Sequence, residues 1–302
     1  MIPKIRIGTR DSQLALWQAN SVKSALEEFA YDGELKLIKS SGDIDQKSEF
    51  KAMSSVGIFT KALDQALLRK EIDIAVHSLK DAPTVPEEGL KLGAVLKRAN
   101  PYDLLIRKTE LNEEAPYVVG TGSIRRKAQW LNKFNGHTVK GIRGNVDTRL
   151  RKLEEEEFDA IILANAGLMR LNAVPRESDI LDWMIPAPAQ GIVGIYCREE
   201  DQSVLNALDK INHQKSMNAA IAERALLNEL EGGCSAPIGA LAILNEEKLT
   251  LQACLLSEDG MHRIDGLKKG NASEADKIGR TLAREMLSGG GEEIIAHIRY
   301  AR

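Results

Sequence analysis

The sequence predicts an α/β protein: two successive domains of alternating strands and helices, joined by two chain crossings, with a smaller α+β domain after them. Three observations carry this. Strand–helix alternation runs from Lys4 to Leu96, then restarts at Tyr117 and continues to Arg170. Pro186-Ala-Pro188 breaks the second run, and the strand-like Gly191–Cys197 that follows has no βα unit left to complete there. Beyond a helix at 215–230 the order changes to consecutive strands and then consecutive helices, the pattern of an α+β unit. The predicted domains are 1–98 with 191–212, 99–190 and 213–302.

In the first domain Lys4-Ile-Arg-Ile-Gly8 alternates as a short strand and runs into Thr9-Arg10-Asp11-Ser12. Ser12 suits the N-cap of a helix in which Leu14, Trp17, Val22, Ala25, Leu26 and Phe29 recur near helical spacing. Glu34–Ser41 reads as the second strand. Residues 42–58 are mostly polar, carry Gly42 and Gly57, and lack a period; so long a segment reads as a functional lid or as disorder. A helix over 60–70, with Leu63, Ala66 and Leu67 on one side, leads into the strand Ile72–Ser78 and then Lys80-Asp81-Ala-Pro83. Leu90–Leu96 is a further strand, and Arg98-Ala-Asn-Pro101 a crossover.

The second domain opens with the strand Tyr117–Gly120, a Thr121-Gly-Ser123 turn with a capping serine, and a helix Ile124–Phe134. The strand His137–Gly141 follows, then Arg143-Gly-Asn-Val-Asp147 and a helix through Glu156. Phe158–Ala164 is an apolar strand ending in a short helix with Arg170. Gly191–Cys197 is expected to cross back into the first sheet. The helix at 215–230 places Met217, Ile221, Ala225 and Leu226 together. Ile238–Leu244, Lys248–Leu256 and His262–Lys268 are the last strands, and 274–287 and 291–299 the last helices. Strand–helix–strand succession predicts parallel sheets, with ligands beyond the carboxyl ends of the strands. Two such lobes joined twice make a hinged cleft.

Composition narrows the function. No apolar run approaches the ~20 residues of a membrane span, and Met1-Ile-Pro-Lys-Ile-Arg-Ile reads directly as a strand, without a basic-then-apolar leader. Three cysteines do not build a disulfide framework, so a reducing, cytoplasmic setting is expected. A net charge of −3 calls for no nucleic acid, and nothing in the chain calls for a membrane; a monomer is expected. Residues 117–152, however, hold nine Lys/Arg against one acid, Asp147, which makes an anion the expected ligand.

Leu230-Glu-Gly-Gly-Cys-Ser-Ala-Pro237 sets a cysteine on a tightly shaped loop. Two glycines free the backbone before Cys234 and Pro237 fixes φ after it. Cys197 and Cys254 instead lie in apolar strand-like runs, as small buried hydrophobes do. Cys234 is therefore a candidate attachment point or nucleophile. Arg125 and Arg126 open a helix; they are either a solvated helix face or, at a terminus whose N–H groups and dipole favour negative charge, part of an anion site. Arg143 and Arg149 follow the next strand, offering fork-shaped donors suited to carboxylates or phosphates. Asp81, beside Lys80, is either an ion-pair or capping residue or the one carboxylate of a cationic cleft, suited to hold a cationic or N–H-bearing centre. His77, inside a strand run, reads as a satisfied core histidine. No His/Cys/Asp spacing suggests a metal, and no Ser-His-Asp order stands out.

Gly8-Thr-Arg-Asp-Ser12, His77-Ser-Leu-Lys-Asp81, Gly120-Thr-Gly-Ser-Ile-Arg-Arg126, Arg143-Gly-Asn-Val-Asp-Thr-Arg149, Pro188-Ala-Gln-Gly191 and Leu230-Glu-Gly-Gly-Cys234 together resemble the porphobilinogen deaminase (hydroxymethylbilane synthase) family, in family order and over most of the chain. The resemblance implies two binding-protein-like lobes of the type II periplasmic-binding-protein kind and a small α+β domain. It implies a cytosolic transferase that joins four porphobilinogens head to tail with loss of ammonia and releases the linear tetrapyrrole by hydrolysis. A dipyrromethane cofactor is implied on Cys234 through a thioether, held by Lys80, Ser123, Arg125, Arg126, Arg143 and Asp81. Asp81 is the implied catalytic carboxylate, and Arg10, Ser12, Arg149, Arg170, Gln190 and Phe59 the substrate-binding residues. The pyrrole acetates and propionates account for the arginines. The azafulvenium ion left by ammonia accounts for a lone carboxylate, and a growing polymer for an anchor. One departure stands out: where the family's lid commonly reads Gly-Gly-Lys-Gly-Leu-Phe, this chain has Ser54-Ser-Val-Gly-Ile-Phe59, with Val56 in place of the lysine.

Two rivals are set against this reading. A non-enzymatic two-lobed binding protein for a small polyanion would need neither Cys234 on its loop nor Asp81 among cations. A nucleotide-dependent transferase would use Gly120–Ser123 as a phosphate cradle, but no Gly-Lys-Ser/Thr continuation follows.

Overall fold

The computed structural model describes residues 3–38, 58–108, 116–155, 158–230 and 236–300. The chain divides into two compact units, Met1–Ala99 with Gly191–Asn218, and Asn100–Gln190 with Ala219–Arg302.

The first unit is built from β1 (Lys4–Thr9), α1 (Gln13–Glu27), β2 (Asp32–Leu37), α2 (Ile58–Leu68), β3 (Ile74–Ser78) and β4 (Leu90–Val95). After the whole intervening stretch, β10 (Val193–Arg198) and α6 (Gln202–Ile211) complete it. Its sheet runs β2-β1-β3-β10-β4. β1 pairs in parallel with β2 and β3, whereas β10 is antiparallel to both β3 and β4. Ser12 caps α1, its Oγ accepting from the Ala15 N–H at 3.3 Å, which satisfies one of the helix's orphan donors. On one face of the sheet Ile5, Ile7, Val22, Leu26, Val193 and Leu208 form a core. Leu63, Leu67 and Leu79 are also fully buried.

The second unit begins with β5 (Asp103–Arg107), followed by β6 (Val118–Gly120), α3 (Ile124–Lys133), β7 (Thr138–Lys140), α4 (Val146–Glu155), β8 (Ala160–Ala164), α5 (Asn165–Arg170) and β9 (Ser178–Leu181). This sheet runs β7-β6-β8-β5-β9, with β5 antiparallel to its two neighbours. Both sheets therefore have one plan: second, first, third, an inserted antiparallel strand, fourth. That is the strand order of a type II periplasmic-binding-protein lobe. The same unit holds most of α7 (Gln214–Glu229) and a third, antiparallel sheet of β11 (Ile238–Asn245), β12 (Lys248–Leu256) and β13 (Arg263–Asn271). α8 (Ala275–Met286) and α9 (Glu292–Tyr300) complete it, and Leu226, Leu251, Leu255, Ile278, Leu282 and Ile298 share its core. A separate cluster joins Leu241, Cys254 and Leu256 of that sheet to Ala128 of α3 and to Ile185. No helix among the described residues is long and apolar enough to cross a membrane.

The return of the chain at β10 to the first sheet is as the sequence predicts. Four points differ. The sheets are mixed rather than parallel, because each holds one inserted antiparallel strand: β10, returning from beyond the second unit, in the first, and β5 in the second. β5, β9 and α6 were not expected. β2 starts and ends earlier than 34–41; residues 39–57, including the expected lid and Val56, lie outside the described residues. Trp17 and Phe29, placed on the buried face of the first helix, are 41% and 47% exposed, while Gln18 and Ala19 are buried instead. The stripe on α1 is narrower than the spacing suggested, because Phe29 falls after the helix has ended.

Candidate functional site

Parallel strands bring their carboxyl ends to one edge of a sheet, and the site residues sort onto those edges. In the first unit Arg10 follows β1, and Ser12 is bound into the α1 cap. The adjacent β3 ends in a tight turn, Leu79–Asp81, held by the Ala82 N–H donating to the Leu79 carbonyl at 3.3 Å. Leu79 N–H in turn donates to Ile192 O at 3.0 Å, extending the β3–β10 pairing up to the turn. Lys80 is half-buried and Asp81 exposed. Arg10, Ser12, Lys80 and Asp81 thus share one edge. Phe59 lies in the first turn of α2, but its side chain is outside the described residues.

In the second unit the turn from β6 leads to α3, capped by Ser123, whose Oγ accepts from the Arg126 N–H at 3.4 Å. Arg125 and Arg126 are therefore in the first turn, and both are buried. The anion expected opposite them comes from the chain itself. Asp103 opens the antiparallel β5 opposite Ala164, the last residue of β8, so it stands at the same edge. Its carboxylate accepts from Arg125 Nη2 at 2.7 Å, from Arg126 Nη2 at 2.8 Å and from Gln190 Nε2 at 2.8 Å. Arg125 Nη1 donates to Ile185 O at 2.8 Å and Arg126 Nη1 to Ile162 O at 2.9 Å. Burial alone would raise the Asp103 carboxyl, but the two guanidinium charges and their hydrogen bonds hold it well below the usual carboxylate range. The Nε atoms of both arginines are buried and have no hydrogen-bond partner among the described residues.

Arg143 follows β7 and is exposed. Gly144 takes φ +122°, a conformation glycine adopts freely, and starts the turn into α4. Asn145 Oδ1 accepts from Thr148 N–H at 2.9 Å, and Arg149 Nε folds back onto Gly144 O at 2.8 Å. Arg170 ends α5 after β8; burial lowers its guanidinium to about 10, leaving it cationic at neutral pH. Arg125, Arg126 and Gln190 thus meet on Asp103, while Arg143, Arg149 and Arg170 follow the neighbouring strands β7 and β8 of the same sheet.

Asp103 and its strand escaped the sequence reading. The available signal was Tyr102-Asp-Leu-Leu-Ile-Arg107, an acid opening an apolar run directly after a crossover. His77 also differs from expectation: it is buried, but its Nε2 has no hydrogen-bond partner among the described residues. Cys197 and Cys254 are buried as predicted, and burial pushes both thiols up to about 11. Cys234 lies outside the described residues, on the stretch between α7 and β11. The described residues hold no cluster of His, Cys, Asp and Glu suited to a metal.

The family model for porphobilinogen deaminase, dipyromethane cofactor binding domain, matches residues 5–206, and that for porphobilinogen deaminase, C-terminal domain, matches residues 217–288. The chain is 44% identical over 281 residues to the probable porphobilinogen deaminase of Methanocaldococcus jannaschii, covering 90% of this chain and 95% of that one. It is 43% identical over 300 residues to the porphobilinogen deaminase of Geotalea uraniireducens, covering 97% and 94%. With the porphobilinogen deaminase of Geobacter sulfurreducens it shares 43% over 302 residues, covering 98% and 95%.

Proposed function

The chain belongs to the porphobilinogen deaminase family, and from that membership we propose that it acts as hydroxymethylbilane synthase in the cytoplasm, as a monomer. It condenses four porphobilinogens head to tail, releases ammonia at each step and frees the linear tetrapyrrole by hydrolysis. The observation that supports the reading is the placement of Arg125, Arg126, Arg143 and Arg149 at the strand-to-helix turns after β6 and β7 of one sheet, with Arg170 ending the short helix after β8. A substrate and product bearing two carboxylates per pyrrole need such a set of forked donors. The proposed division of the chain is 1–98 with 191–212, 99–190 and 213–302.

The donor set fits a dipyrromethane cofactor. Its carboxylates need N–H groups; the Nε atoms of Arg125 and Arg126 have no hydrogen-bond partner among the described residues, and Arg143, after the neighbouring strand, is exposed. When bound, the cofactor supplies a fixed pyrrole terminus on which the product is built. Lys80, Ser123, Arg125, Arg126, Arg143 and Asp81 hold it in this proposal, and Cys234 carries it through a thioether. The buried, high-pKa thiols of Cys197 and Cys254 are poor thiolates, which supports that choice. Arg10, Ser12, Arg149, Arg170, Gln190 and Phe59 receive substrate. The Asp81 carboxylate faces the cation formed as ammonia leaves the substrate, and it accepts the pyrrole N–H.

Intact mass tests the reading. The protein as isolated is expected to exceed its sequence mass by two pyrrole units. Cys234→Ser should show the bare mass and no turnover, while Cys197→Ser and Cys254→Ser keep the adduct. An adduct on either buried cysteine, or none in the parent, would overturn it. A polyanion-binding protein would show the bare mass throughout.

A further inference from the structure

Beneath the Leu79–Asp81 turn lies a polar cluster that the proposed chemistry leaves unused. A cavity of about 10 Å³ is walled by Asp64 of α2, His77 of β3, Tyr196 of β10, and Ala82, Pro83 and Glu87 of the chain just after the turn. That space admits about one water, which requires two or more polar partners. The wall thus includes residues on both sides of Asp81 in sequence. His77 is 7% exposed, its Nε2 has no partner among the described residues, and its ring meets Tyr196 edge-on at 5.6 Å. Burial first, and then the charge of Arg10, lower its imidazole to about 4, so it is neutral at neutral pH. Asp64 is hydrogen-bonded to the Thr60 side chain; burial, and after it the charge of Glu87, raise its carboxyl to about 6.

A buried ring nitrogen without a partner costs stability unless something satisfies it. We propose that one water occupies this cavity and bridges His77 Nε2 to the Asp64 carboxylate, making both residues positioning residues for the Lys80-Asp81 turn. This rests on the assignment of Asp81 above. The ionised Asp64 accepts one water hydrogen, and the water's other hydrogen or a lone pair meets Nε2, according to the tautomer. Protonating Asp64 makes one of its oxygens a donor and leaves the other a weaker acceptor, which reorients the water at Nε2. The other titratable or charged groups around it are Glu87 from the loop, Tyr196 from β10 and, acting on His77, Arg10 from the end of β1.

Stability and turnover both report on it. The folded value of Asp64 lies above its ordinary one, so its contribution to stability is full below the unfolded value and is lost as pH rises through about 6. Asp64→Asn is therefore expected to melt higher than the parent at about pH 8, with the difference gone by about pH 4. In the loaded enzyme, kcat of the parent should fall on the acid side near pH 6, and Asp64→Asn should lack that limb with KM unchanged. His77→Leu should lower kcat by about 10- to 100-fold, the scale of a ~1 Å displacement of a reacting group. His77→Gln, whose amide nitrogen reaches the Nε2 position, should recover most of it. An unchanged acid limb in Asp64→Asn, or equal rates in His77→Leu and His77→Gln, overturns the bridge. Should His77→Leu not fold, the Asp64→Asn pH comparison alone decides. If Asp81→Asn is inactive while the Asp64 and His77 variants behave as the parent, only the bridge fails. If Asp81→Asn turns over at the parent rate, the underlying assignment fails instead.

Discussion

Asp103→Asn is expected to remove about 3–5 kcal/mol of stability, the usual cost of deleting one partner from a buried ion pair. Asp103 is fully buried and is the only carboxylate that the described residues place against Arg125 and Arg126. The asparagine keeps shape and can still accept hydrogen bonds, but it leaves two buried guanidinium groups uncompensated. The pH dependence carries its own sign. Because the folded carboxyl lies below the ordinary range, its contribution is present above the unfolded pKa of about 3.9 and is lost as pH falls through the lower folded value. Urea unfolding of parent and variant should therefore differ most at neutral pH and converge in strong acid. A neutral-pH difference under ~1 kcal/mol, the range of exposed ion pairs, would show that the arginines do not depend on Asp103.

The largest kinetic effect is expected at Asp81. It is exposed, on a short turn whose backbone is anchored to Ile192, and its replacement removes no packing. Asp81→Asn should fold and load cofactor yet lose about 10²–10³ in the rate of substrate addition, as when one preorganised electrostatic partner is deleted. Asp81→Glu keeps the charge and misplaces it by about 1 Å, a shift that can itself cost ~10². It should be slow, but faster than asparagine. Single-turnover addition to the loaded protein measures both, with circular dichroism as the folding control. Parent-rate addition by Asp81→Asn would make the carboxylate structural.

Periodic, local features of this chain were legible, and paired, distant ones were not. β1 announces itself by alternation, β3 and β8 by apolar runs, and the start of α3 by the capping Ser123. β9 does not: Asp179 and Ile180 are exposed, as suits an edge strand with one neighbour, so no buried period exists to read. β5 is short and bounded by Asp103 and Arg107, charges that suggest a loop until their partners are known. The site shows the same split. The arginines follow from strand ends and helix starts, but the partner of Arg125 lies 22 residues upstream on another strand, and only tertiary structure brings it close. His77 likewise looked like ordinary core because an unsatisfied nitrogen leaves no mark in sequence.

The inserted antiparallel strand has a consequence for how the chain is made. In the first sheet β10 separates β3 from β4, yet it is synthesised only after β5 to β9. A nascent chain therefore holds β3 and β4 with open edges until the second sheet, contiguous from Asp103 to Leu181, has left the ribosome. Open strand edges invite mispairing, and the long closure that β10 must make carries an entropic cost that local pairings avoid. The later-encoded sheet should thus mature first and the amino-terminal one last. Pulsed hydrogen exchange during refolding should protect the amides of Ile106 and Ile161 before those of Val76 and Ile195. Simultaneous protection would mean that the two sheets fold as one cooperative unit, and that the amino-terminal strands need no shelter while they wait.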